Sequence, residues 1–182
     1  MAGHADYCSD MTRRRTMVAL AAALVGVDLT SIGRTSSQDL TGFAASLLAQ
    51  LITASRQQVL GAGTTPMPVR IMQGLSGYFP PELLRAVRYR SGGRTELSLS
   101  GLAFQYGDAV AVTLIDVVMF RDEAAAQQDL KLWAHELTHV MQYRRLGVDG
   151  FAARYVADSG AVEREAYANA DRFVAWRGSV RR

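Results

Sequence analysis

The sequence predicts an α+β fold that is mostly helical, with a small antiparallel sheet packed on one amphipathic helix. Three observations lead there. Apolar residues recur at helical spacing from Ser37 to Leu60 and again from Leu130 to Met141. Between these stretches, Val87 to Phe120 changes to short β-rich runs separated by turn signals. Helical signals then return as far as Trp176, with Asp and Gly where helices start and stop. Strands gathered in one stretch, with helices on either side, point to α+β architecture and not to alternating βα units.

At 182 residues the chain is long enough for one domain with a real core. Apolar residues make up 49% and charged residues 20%, a balance that excludes a disordered or fibrous chain. The lone Cys8 excludes an internal disulfide and any cysteine-based zinc site. The net charge of +3 rests on arginine, Lys131 being the only lysine, and no basic run is interleaved with aromatics. Nucleic acid is therefore excluded as the expected partner.

In chain order, residues 1–36 are expected to lie outside the fold. Arg13-Arg14-Arg15 precedes the apolar run Met17 to Val27, the pattern of a basic n-region and an h-region, with a twin-arginine-like flavour. The run is too short to span a bilayer. Export through the segment near 11–33 is the expectation; the alternative is a flexible tail or short packed helix on a cytoplasmic protein. Residues 37–182 form a single domain, with the turn-rich stretch 61–68 as a possible internal linker. Within it, Leu40, Phe43, Ala44, Leu47, Leu48, Leu51 and Ile52 mark the buried stripe of the first helix, which Gly61 closes.

Pro68 and Pro81 then open two short helices. Val87 to Arg90, Leu102 to Tyr106, Val110 to Leu114 and Val117 to Phe120 are expected strands, with a hairpin turn at Gly107-Asp108. An edge of this sheet can pair with an extended peptide. Asp122 and Asp129 cap the next two helices, and Gly147 ends the second of them. Asp149 is suited to cap a helix over 150–157, and Ser159-Gly160 turns the chain into a last helix from about Ala161 to Trp176.

The helix that begins after Asp129 carries His135-Glu136-Leu137-Thr138-His139, two of the three histidines in the chain. Residues four apart on an α-helix share a face, so both imidazoles can ligate one small cation. At about 100° per residue, Glu136 borders that face without blocking it. Leu130, Trp133, Leu137, Val140 and Met141 fall on the opposite side, as a buried stripe. Two histidines with a third protein ligand leave zinc an open position for water. Glu136 is the candidate general base toward that water. The third donor is open among Glu163, Glu165 and Asp158; Glu163 and Glu165 lie about 200° apart on a helix, so only one can face the metal.

His135-Glu136-Leu137-Thr138-His139 followed by Glu163-Arg164-Glu165-Ala166 resembles the gluzincin pattern of zinc peptidases. That resemblance implies a zincin-like domain, Zn²⁺ as cofactor, Glu163 as third ligand and a peptide or protein as substrate. Where many gluzincins carry an Asp that orients the first histidine, this chain has Tyr167, whose hydroxyl is the available substitute. Tyr143, Tyr155 and Tyr167 are further candidates for oxyanion donors. From about Pro66 to Met141, the Ala103-Phe104 strand, the Gly107 turn, Val117 to Phe120 and Trp133 to Gln142 also resemble a bacterial domain found beside extracellular contractile injection systems (eCIS). The two resemblances imply a zinc metallopeptidase or, alternatively, a non-catalytic binding or scaffolding module with a structural or vestigial zinc site. A structural zinc site is normally closed by four protein ligands, and three donors with no nearby cysteine favour the open, catalytic kind.

Overall fold

Val117-Val118-Met119-Phe120 is an unbroken apolar run, and the computed structural model, which describes residues 37–92 and 110–180, shows why. All four residues are fully buried because the strand has a hydrophobic layer on each face. The helix α1 (Ser37–Gly61) is followed by β1 (Thr65–Pro66), α2 (Val69–Leu75) and α3 (Pro81–Ala86). Then come β2 (Arg88–Ser91), β3 (Ala111–Leu114), β4 (Val117–Phe120), α4 (Glu123–Gln128) and α5 (Leu130–Val180). Side chains alternate along β4: Val118 and Phe120 face Trp133, Leu137 and Val140 of α5, while Val117 and Met119 join Leu114 and Val59 of α1.

The sheet order is β1-β2-β4-β3. It is mixed and not antiparallel throughout, as the sequence had suggested: β2 runs parallel to β4, while β1–β2 and β3–β4 are antiparallel. A parallel pair needs a crossover of about a dozen residues or more, and residues 92–116, which include β3, give the chain that length between β2 and β4. The hairpin lies at Ile115-Asp116, between β3 and β4. The expected strand Leu102 to Tyr106 and turn Gly107-Asp108, like residues 1–36, lie outside the described residues.

At the hairpin, Ile115 takes a left-handed φ of 65°, unfavourable for a β-branched side chain. Neighbouring groups hold the turn: Arg56 of α1 pairs with Asp116 at 2.5 and 2.9 Å, and the Arg88 N–H donates to the Asp116 carbonyl at 3.0 Å.

Helix α1 buries a face rotated from the expected one. Ala45, Ala49, Ile52 and Val59 are buried, whereas Leu40 and Phe43 are exposed. Small alanines let the helix approach its neighbours closely, and the Arg56–Asp116 pair fixes its rotation. Helix α5 bends at Gly147 and Asp158, whose backbone angles are not helical, giving segments 130–146, 148–157 and 159–180. The second break replaces the expected turn at Ser159-Gly160, and the third segment runs on to Val180. Among the described residues, no helix is long and apolar enough to cross a membrane.

Candidate metal centre

Asp129 starts the first segment of α5 by accepting a 2.8 Å hydrogen bond from the Leu132 N–H. The indole N–H of Trp133 donates to the Ala126 carbonyl at 2.7 Å, and its ring packs against Phe120 with centroids 4.7 Å apart. These contacts set the helix rotation. Trp133, Leu137 and Val140 are buried as expected, but Met141 is 42% exposed. The motif face is buried as well, with His135 and His139 only 8% and 6% exposed. It looks onto the third segment of α5 and onto β3.

The third segment opens at Asp158, whose carboxylate accepts from the Ala161 N–H at 2.9 Å. One turn on, Glu163 brings Oε2 to 3.3 Å from His135 Nε2 and 3.6 Å from His139 Nε2. The two Nε2 atoms are 3.1 Å apart. A tetrahedral zinc with bonds of about 2.0–2.1 Å holds its ligand atoms about 3.3–3.4 Å apart, so this triangle fits one ion with one position left open. The other two candidates are engaged elsewhere. Glu165 faces Arg145 at 2.9 and 3.0 Å, and Asp158 caps its helix and lies 3.4 Å from Arg164.

His139 and Glu163 stabilise each other's charge. Burial alone lowers the basicity of His139, but hydrogen bonding to Glu163 and the charges of Glu163 and Glu136 raise its pKa to about 9. Burial favours the neutral form of Glu163, yet both histidines outweigh this and hold its carboxyl well below the usual carboxylate range.

Glu136 is 3% exposed and lies beside the triangle. Its Oε2 accepts a 2.6 Å hydrogen bond from the Thr113 hydroxyl on β3, which also lies 3.3 Å from the Glu136 carbonyl. The Tyr143 hydroxyl donates to the Thr113 carbonyl at 3.4 Å, tying β3 to the same helix. Gln142 is the other residue that sequence reasoning missed: its Oε1 lies 2.8 Å from His139 Nδ1, and its Nε2 donates to the Val162 carbonyl at 3.1 Å. Its signal was present, since it follows His135 by two helical turns. Thr113 had none, being 23 residues from Glu136 on another element.

Tyr167 does not serve His135 as a hydrogen-bonding substitute. Its ring lies against the imidazole with centroids 4.4 Å apart, and His135 Nδ1 is buried with no hydrogen-bond partner among the described residues. Tyr143 and Tyr155 belong to an aromatic stack with Phe151, at 3.9 and 5.8 Å.

No curated protein and no solved structure matches the chain. Residues 66–147 match the family model of the eCIS core domain, a span that contains His135, Glu136 and His139 and ends before Glu163.

Proposed function

We propose that this chain is a zinc-site module working with an extracellular contractile injection system, and that the site hydrolyses peptide bonds. The family match supports the setting and carries no catalysis with it. Taken alone, it favours the second reading, a binding or scaffolding module whose zinc site is structural or vestigial. The observation that carries the chemistry is the triangle of His135, His139 and Glu163, with edges of 3.1 to 3.6 Å and Glu136 alongside. Three donors and an open position suit catalysis better than a closed structural site.

When bound, zinc supplies Lewis acidity toward a carbonyl and lowers the pKa of water. Glu136 takes the proton from the attacking water and returns it to the departing amine nitrogen. Thr113 holds one carboxylate oxygen, leaving the other to receive that proton. Among the described strands β3 lies at the edge of the sheet, a position suited to align an extended peptide beside Glu136. The substrate is accordingly a peptide or protein, met outside the cell if residues 1–36 direct export.

Glu136→Gln tests the reading, because it keeps the shape of the side chain and removes the base. Zinc uptake should match that of the wild type, while hydrolysis of a peptide library falls by about 10²–10⁴-fold. Equal cleavage by both proteins would remove Glu136 from its role. Chelator-insensitive silence from both would leave the scaffolding reading in place.

A further inference from the structure

We infer that Gln142 is a positioning residue that sets the tautomer and orientation of His139, so that its Nε2 points at the cation position. The inference rests on the zinc reading above and extends it to a side chain outside the motif. Gln142 is 1% exposed, so each end of its amide must find a protein partner. A backbone carbonyl can only accept, and the Val162 carbonyl lies 3.1 Å from the amide. That end is therefore the NH₂ group, which turns Oε1 toward His139 Nδ1 at 2.8 Å. An amide oxygen can only accept, so His139 Nδ1 carries a hydrogen.

Nε2 is left to face His135 Nε2 and Glu163 Oε2, at 3.1 and 3.6 Å. One backbone carbonyl thus decides which imidazole nitrogen of His139 is offered to metal. His135 lacks this arrangement: among the described residues its Nδ1 is buried with no hydrogen-bond partner, and its ring lies against that of Tyr167 with centroids 4.4 Å apart. The two histidines are therefore unequal, and His139 is the one whose orientation the fold enforces.

The test uses the whole chain, with Zn²⁺ as the probe. In the wild type, proton and nitrogen NMR should find a hydrogen on His139 Nδ1, protected from exchange, with zinc bound and also without zinc in the neutral ring at high pH. Gln142→Leu keeps the bulk and removes the acceptor, and its zinc affinity should fall by about 10–100-fold, with loss of that protection. Gln142→Glu keeps an acceptor toward Nδ1 but loses the donor to the Val162 carbonyl, so its zinc affinity should fall less than that of the Leu variant.

Equal losses in the Leu and Glu variants would assign Gln142 to joining helical segments alone and overturn the inference. A bare or rapidly exchanging Nδ1 in the wild type would overturn it whatever the variants do, including a Leu variant that fails to fold. A wild type that takes up no zinc, but whose neutral ring at high pH keeps its hydrogen on Nδ1, would instead sink the zinc reading, and with it the affinity claim, while the tautomer assignment stands.

Discussion

His139 carries the clearest pH signature among the residues of the site. Its pKa of about 9 means that at pH 7.5 the metal-free ring holds a proton on each nitrogen. Zinc can take only the neutral ring, so binding should release about one proton from His139 at that pH. Calorimetry in two buffers of different ionisation enthalpy measures this release; none would refute the assignment. The sign for stability follows from the same shift. A pKa raised from 6.5 stabilises the metal-free fold below pH 6.5, and that contribution is lost as pH rises through about 9. Glu163, held low, contributes above pH 4.5 and loses its contribution on acidification. The melting temperature without zinc should therefore drop between pH 6.5 and 9.5 in the wild type, and less so in Glu163→Gln. An equal drop in both proteins would show that the pair does not couple to folding.

Helix α5 supplies all three candidate ligands because it bends twice. Gly147 sits at φ 70° and ψ 172°, a region that side-chain-bearing residues scarcely enter. A Cβ there would meet nothing within 4 Å, so the glycine is required by backbone conformation and not by space. Gly147→Ala should cost about 1–3 kcal/mol in urea unfolding. It should also weaken zinc binding, since the segment bearing Glu163 comes after the bend. A cost below about 0.5 kcal/mol, the usual scale of a neutral surface change, would show that the bend tolerates other residues. The next joint is held by side chains. The Thr138 hydroxyl accepts from Asn169 at 2.8 Å, and the Asn169 side chain accepts from Tyr78 at 2.9 Å, fastening the third segment to the first.

At the scale of the whole molecule, the three apolar clusters draw on residues between Leu48 and Trp176. Among the described residues they join α1, the sheet and α5. A chain beginning at Ser37 should therefore unfold in one cooperative step. Zinc at a hundred times its dissociation constant should add about 2.7 kcal/mol to that stability, because the ligands come together only in the fold. His139→Ala should abolish the increment. Scanning calorimetry with and without chelator measures both effects, and a Ser37 chain that fails to fold would place the N-terminal segment in the core.

The pairing of His135 with His139 was legible in the sequence because helix periodicity is local: four residues apart means one face, whatever surrounds it. Caps at Asp122 and Asp129 were legible for the same reason, since a side chain reaches only the next turn. The four β4 residues could be read as buried, but not which way their neighbours run. Parallel pairing of β2 with β4 is decided by tertiary packing, and no local propensity encodes it.

The buried face of α1 was misplaced because its leucines promise burial, whereas close packing through Ala45 and Ala49 set the rotation. Tertiary structure alone turned Glu163 toward the histidines and Glu165 toward Arg145, since the bends at Gly147 and Asp158 set the direction of the third segment. It alone brought Thr113 of β3 to Glu136. Helical spacing carries information over about one or two turns, and beyond that distance contact is decided by packing.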